Sequence, residues 1–191
     1  GGKRKARLQR GLTPHLDCCP DRLFASDKRV PKWRPIQAFV ALTDAMEPNQ
    51  GGFECAPGFH REFNEWRRRR PNPPQNPGDF SPIRAKEDAE VLKRVTHIPV
   101  PAGALVLWDV RLPHANARRN DAAAPREVVY LGYLPDVAVN RAYAEHQLRR
   151  YRAKAVPDDQ WHEAGEEGAV EDEPDFEFSP LGRKLMGIDR F

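Results

Sequence analysis

A mainly β fold, an antiparallel β-sandwich or double-stranded β-helix (jelly roll), is predicted by three features of this 191-residue sequence. Its apolar segments are short and several alternate with period two. Most of its 19 prolines, with its glycines, fall between those segments. Few stretches carry helical spacing.

The first clear strand is "RPIQAFVALTD" (34–44), with Ile36, Ala38, Val40 and Leu42 on one face and Gln37, Phe39 and Ala41 on the other. "MEPNQGGFECAPG" follows as a turn, a short strand and another turn. In "FHREFNEWRRRR" the spacing of Phe59, Phe63 and Trp66 is helical, and the helix should stop before Pro71. "RPNPPQNPGDFSP" (70–82) is a proline-rich loop that can cover a site, and "KEDAEVLKRV" is one short helix. "THIPVPAGALVLWDVRLPHANARRN" gives strand, turn, strand and then a polar loop bearing His114. "REVVYLGYLP" (126–135) alternates as a strand. "NRAYAEHQLRRYRA" (140–153) carries Ala144, Leu148 and Tyr151 on one helical stripe, with Asn140 as the expected N-cap. The acidic run from 158 to 177 reads as loosely ordered, and "FSPLGRKLMGIDRF" regains apolar residues. The expected organisation is a core over 1–153 and an acidic extension over 154–191 that docks back at 178–191.

Composition limits the function. With 39% hydrophobic and 31% charged residues, the chain suits a globular domain, and no apolar run approaches the roughly 18–20 residues of a membrane span. No apolar signal core follows "GGKRKARLQR", and the first residue is Gly rather than Met, as in a fragment, a processed form or a tagged chain. Three cysteines form no disulfide framework, so reduced thiols in an intracellular, cytoplasmic setting are expected. A zinc site from His15, Cys18, Cys19 and Cys55 is an alternative, but it lacks CxxC spacing. The basic runs "KRKARLQR" and "RRRR" (67–70) lack any nucleic-acid-binding motif and read as solvated faces. A nucleic-acid module is the competing reading and predicts steeply salt-dependent binding.

The chemistry concentrates in "TPHLDCCPDR" (13–22). With 6 His and 28 acidic residues, about one His-x-Asp/Glu is expected by chance, and two occur: His15/Asp17 and His60/Glu62. On a helix, residues i and i+2 diverge by about 200°, which rules His60 and Glu62 out as one clamp. In an extended segment such residues share a side, about 6–7 Å apart at Cα. His15 and Asp17 can therefore grip one ion, and His114, after "ALVLWD", is the best third ligand. Two histidines and a carboxylate on one face of an octahedral ion leave positions open, as in non-haem Fe(II) oxygenases. A bidentate oxoacid on such an ion needs a cation at its far carboxylate, and Arg126 has the right fork.

The segments "HLD" (15–17), "NQGGFECAPGFHREF" (49–63), "PAGALVLWDVRLPHANARRN" (101–120) and "PREVVYLGYLP" (125–135) occur in an order that resembles the phytanoyl-CoA dioxygenase family of Fe(II)/2-oxoglutarate-dependent oxygenases. The second is similar to that family's "NGxLxxxPGSH", with "PGFH" in place of "PGSH". The likeness covers about residues 13–153, although the family usually has a substantial region ahead of His-x-Asp and only 14 residues precede it here.

The resemblance implies a double-stranded β-helix with His15, Asp17 and His114 as the catalytic Fe(2+) ligands. It places Arg126 at the distal carboxylate of the 2-oxoglutarate co-substrate, with Asn116 and Trp33 as further co-substrate contacts. Gln37 and Phe39 would line the site. It implies hydroxylation of a small-molecule C–H bond by O2, with release of succinate and CO2. The presence of Asp17 favours this over halogenation. The alternative is a metal-binding jelly roll without turnover. Neither a membrane nor nucleic acid is an expected partner, and the prime substrate and oligomeric state are not written in the sequence.

Overall fold

The computed structural model describes residues 13–18, 20, 32–69, 81–155 and 176–190. The basic N-terminal run, Cys19, most of the proline-rich loop (70–80) and most of the acidic stretch (156–175) lie outside the described residues. The chain divides into two compact units: Gly1–Asp21 with Pro35–Gly132, and Arg22–Arg34 with Tyr133–Phe191.

The first unit is a double-stranded β-helix built from two antiparallel sheets. The larger contains β1 (His15–Leu16), β3 (Phe53–Cys55), β4 (Ser81–Pro82), β5 (Thr96–His97) and β7 (His114–Asn116), in the order β4-β1-β7-β3-β5. The smaller contains β2 (Ile36–Ala41), β6 (Leu105–Asp109) and β8 (Val128–Leu131), in the order β6-β2-β8. From β1 to β3, and again from β6 to β8, successive strands alternate between the sheets.

The core lies between the two inner faces. Phe39, Ala41 and Trp108 from the smaller sheet pack with Phe53 and Cys55 from the larger, together with Val100. Phe39 meets Phe53 edge-on with ring centroids 5.7 Å apart, and Trp108 lies 4.9 Å from Phe53. Of the two apolar faces of β2, the one carrying Gln37, Phe39 and Ala41 is inside. Ile36 and Leu42 are exposed on the other, as are Leu105 and Leu107 of β6 and Val129 of β8.

The expected helix after Cys55 forms in two pieces, a 3-10 turn at Phe59–Arg61 and α1 at Phe63–Arg69. Phe59 and Phe63 are buried, and the Trp66 indole N–H donates to Asp88 at 2.9 Å just before α2 (Ala89–Leu92). His60 and Glu62 do not act together: Glu62 instead takes two 2.9 Å hydrogen bonds from Arg94. His114 does not sit in a polar loop. "HAN" is too short to show alternation, but its backbone pairs with β1 on one side and β3 on the other.

The second unit contains α3 (Ala138–Arg152) and α4 (Pro180–Leu185). Asn140 is not the N-cap of α3, a position held by Val137. It is buried in the first turn, and its amide accepts from the Trp33 N–H at 2.7 Å and donates to the carbonyls of Trp33 at 2.9 Å and Pro135 at 2.8 Å. Ser179 caps α4 by accepting from the Gly182 N–H at 3.1 Å, and Phe178 packs on Tyr151 with centroids 5.6 Å apart.

Candidate metal centre

The antiparallel pairing of β1 with β7 sets His15 directly opposite His114. Directly opposed residues in such a ladder project to the same face, so the two imidazoles emerge side by side, with ring centroids 4.7 Å apart. Asp17, two residues on from His15, projects to that same side. Its Oδ1 lies 3.4 Å from His15 Nε2 and its Oδ2 lies 3.6 Å from His114 Nε2. All three residues are buried, and one ligand atom from each lies within 4.8 Å of the others. This is the one group of three or more such side chains found among the described residues.

Both rings are oriented by the same local device. His15 Nδ1 bonds the Thr13 carbonyl at 2.9 Å, and His114 Nδ1 bonds the Leu112 carbonyl at 3.0 Å, each two residues back. A carbonyl only accepts, so Nδ1 carries a proton and Nε2 is the nitrogen turned toward Asp17: it donates to the carboxylate when the ring is protonated and is free to ligate an ion when that proton leaves. Burial works against the Asp17 charge. Hydrogen bonds and charge from His114 and His15 outweigh it, holding the carboxyl well below the usual carboxylate range. Burial likewise opposes a charge on His15, but the bond to Asp17 and its charge raise that pKa overall. Two neutral-nitrogen donors and one carboxylate match a divalent first-row ion, with room for ligands that the protein does not supply.

The surrounding residues come from both sheets. Gln37 Nε2 donates to Asp17 Oδ2 at 2.7 Å. Trp108, directly across from Gln37 in the β2–β6 ladder, lies 5.1 Å from His114, and Phe53, packed against Trp108, stacks with the same imidazole at 6.0 Å. Asn116 shares a face of β7 with His114. Its carbonyl accepts from Arg126 Nη1 at 3.0 Å, and its amide donates to the Tyr130 hydroxyl at 3.3 Å. The Arg126 guanidinium lies 5.0 Å above the Phe39 ring, and its Nη2 is buried and, among the described residues, has no hydrogen-bond partner. A buried guanidinium nitrogen with no acceptor is a place for an anionic ligand oxygen. Gly51, beside Arg126, takes a φ of +67°, a left-handed backbone conformation that residues with a Cβ rarely adopt.

Of the six residues expected to form the site, His15, Asp17 and His114 come together, and Arg126 and Asn116 are bonded to each other on the His114 side of the sheet. Trp33 belongs to the second unit, where its backbone N–H and carbonyl both bond Asn140. Cys55 pairs with His114 in the ladder but belongs to the apolar cluster, where burial pushes its thiol up to about 11. It is outside the ligand group, as is Cys18, so the described residues give no support to a thiolate zinc site. Gln37 and Phe39, expected to line the site, lie beside it, Gln37 bonded to Asp17 and Phe39 under the Arg126 guanidinium, whereas the partner of Gln37 and the Trp108–His114 packing are not legible in the sequence. The available signal was a glutamine on the core-facing side of an otherwise apolar strand.

A family model described as "Phytanoyl-CoA dioxygenase (PhyH)" matches residues 21–128, more than half of the chain. The match includes His114, Asn116 and Arg126 and begins after His15 and Asp17, whose assignment rests on the geometry above. The Dictyostelium discoideum protein named "Putative phytanoyl-CoA dioxygenase" is 24% identical over 155 residues, covering 81% of this chain and 39% of its own length. Among solved structures, the hypothetical protein JW0805 of Escherichia coli has a TM-score of 0.66 at 23% identity, over 86% of this chain and 42% of that one. GlcNAc Inducible Gene 2 of Candida albicans has a TM-score of 0.65 at 18% identity, over 84% of this chain and 41% of that one. The chain thus spans about two-fifths of the length of these relatives, and the structural likenesses speak to fold alone.

Proposed function

Because the chain belongs to the phytanoyl-CoA dioxygenase family, we propose that it carries the centre of an Fe(II)/2-oxoglutarate-dependent oxygenase that hydroxylates a C–H bond of a small molecule. The observation that carries this reading is the convergence of His15, Asp17 and His114, with both histidines already turned to present Nε2.

In this reading the Nε2 atoms of His15 and His114 and the Asp17 carboxylate hold Fe(II). Arg126, through the unpaired Nη2, takes the far carboxylate of 2-oxoglutarate, and Asn116 keeps that guanidinium aimed. Phe39 beneath the guanidinium, with Phe53 and Trp108 beside His114, keeps bulk water from the oxidising face. Iron and 2-oxoglutarate, when bound there, would supply the oxidation itself: the oxoacid would give CO2 and succinate, the latter taking one atom of O2, and the other atom would enter the product as a hydroxyl.

The test is turnover of a metabolite extract by the 191-residue chain with Fe(II), ascorbate and 2-oxoglutarate. The expected result is iron-dependent succinate release and a product heavier by one oxygen atom. Asp17→Ala abolishes both. Arg126→Leu raises the KM for 2-oxoglutarate about 10–100-fold, as loss of a hydrogen bond to a charged group implies. Tight Fe(II) binding without any consumption of 2-oxoglutarate would reject the enzyme reading in favour of a metal-binding jelly roll.

A further inference from the structure

Gln37 is 6% exposed and stands on the inner face of β2 among apolar neighbours. Its amide is committed in one direction. Nε2 donates to Oδ2 of the Asp17 carboxylate at 2.7 Å, so the NH2 end of Gln37 faces Asp17. The opposite end, Oε1, is then turned away from Asp17, buried and, among the described residues, without a hydrogen-bond partner. A glutamine kept only for the fold would not leave a buried acceptor unsatisfied, because that costs stability. The arrangement makes sense for a ligand-loaded state, in which one end of the amide steers the carboxylate and the other meets a donor that is not part of the chain.

We propose that Gln37 is a positioning residue of the metal centre. Its N–H holds Oδ2 of Asp17 so that Oδ1 alone is offered to the ion. Its carbonyl accepts a hydrogen bond from an O–H donor that arrives with the bound ligands, a water or a substrate hydroxyl. The inference rests on the metal-centre reading above and adds to it a residue that controls how the carboxylate ligates. Gln37 is suited to this because it reaches Asp17 from the opposite sheet, so the side chain bridges the two layers at the ligand itself.

The experiment uses Co(II) with the full chain, following metal binding by visible absorption and the metal-free fold by thermal melting. Gln37→Met keeps the shape of the side chain and removes both polar ends. The expected outcome is a metal-free melting temperature near that of the unsubstituted protein. Co(II) affinity falls about 10–100-fold, the loss typical when a group orienting a metal ligand is removed. The Co(II) absorption also changes in intensity, because the freed carboxylate can chelate through both oxygens. Gln37→Asn keeps the amide but withdraws it from Asp17 and gives the same loss, which also serves if the methionine variant does not fold. Unsubstituted Co(II) affinity and spectrum in a folded variant would overturn the proposal, as would failure of both variants to fold, which would make Gln37 a core residue. If the unsubstituted protein itself takes up no Co(II), the metal-centre reading falls with it, whereas normal uptake by every variant removes only the role of Gln37.

Discussion

At His15, a metal ion in the proposed centre would compete with a proton for Nε2. The bond to Asp17 raises the pKa of this histidine above its ordinary 6.5 despite burial. The metal-free fold therefore holds a proton that the unfolded chain releases over that interval. Stability from the pair is fully present below about pH 6.5 and fades as pH rises through the raised value. A divalent ion must displace this proton, so metal affinity tightens as pH rises through the same interval, and binding releases protons. Calorimetry in two buffers of different ionisation enthalpy counts them, and a count of zero at pH 6.5 contradicts the assignment. At this scale the sequence shows His15 and Asp17 clearly, because i and i+2 in an extended segment leave little choice of side. It shows Arg126 less directly, and it cannot show that Gln37 meets Asp17, because that contact crosses from one sheet to the other.

Among the elements, α3 shows where local reasoning stops. An asparagine near a helix start is an N-cap by local statistics. Asn140 instead bonds the backbone of Trp33, 107 residues away, and that of Pro135. Asn140→Ala leaves these backbone groups short of partners and is expected to destabilise the second unit by about 2–3 kcal/mol. Urea titration measures this, and a change below about 0.5 kcal/mol would show that water replaces the amide without cost. A similar limit applies to β7. Its three residues carry too little pattern to be read as a strand, and it forms because β1 and β3 flank it. In contrast, β2, β6 and β8 are legible, since each is a short run of mostly apolar residues set off from its neighbours by turn signals. Alternation alone did not say which face is inside, because both faces of β2 and β6 are apolar. The inner one is identified by its aromatic packing, and the outer leaves Leu105 and Leu107 in contact with solvent.

For the whole molecule, an ion at His15, Asp17 and His114 ties the start of the first unit to a strand near its end. An ion that binds only the folded chain adds about 2.7 kcal/mol at one hundred times its Kd. For a chain of this length that corresponds to roughly 5–10 °C in Tm. Scanning calorimetry should show this rise with Fe(II) or Co(II) under argon, its reversal by a chelator, and none of it in Asp17→Ala. Equal shifts in that variant would mean that the ion acts elsewhere. The fold class was readable from short alternating segments and turn residues. The two-unit division was not, because residues 22–34 group with 133–191 only in space.

The facing of His15 by His114 across the β1–β7 ladder has one more consequence. Sliding either strand by a single residue sends one imidazole through to the opposite surface of the sheet. A cation gripped by both imidazoles would therefore bind only where these two distant segments are in step, so that its uptake would report on the register of the ladder.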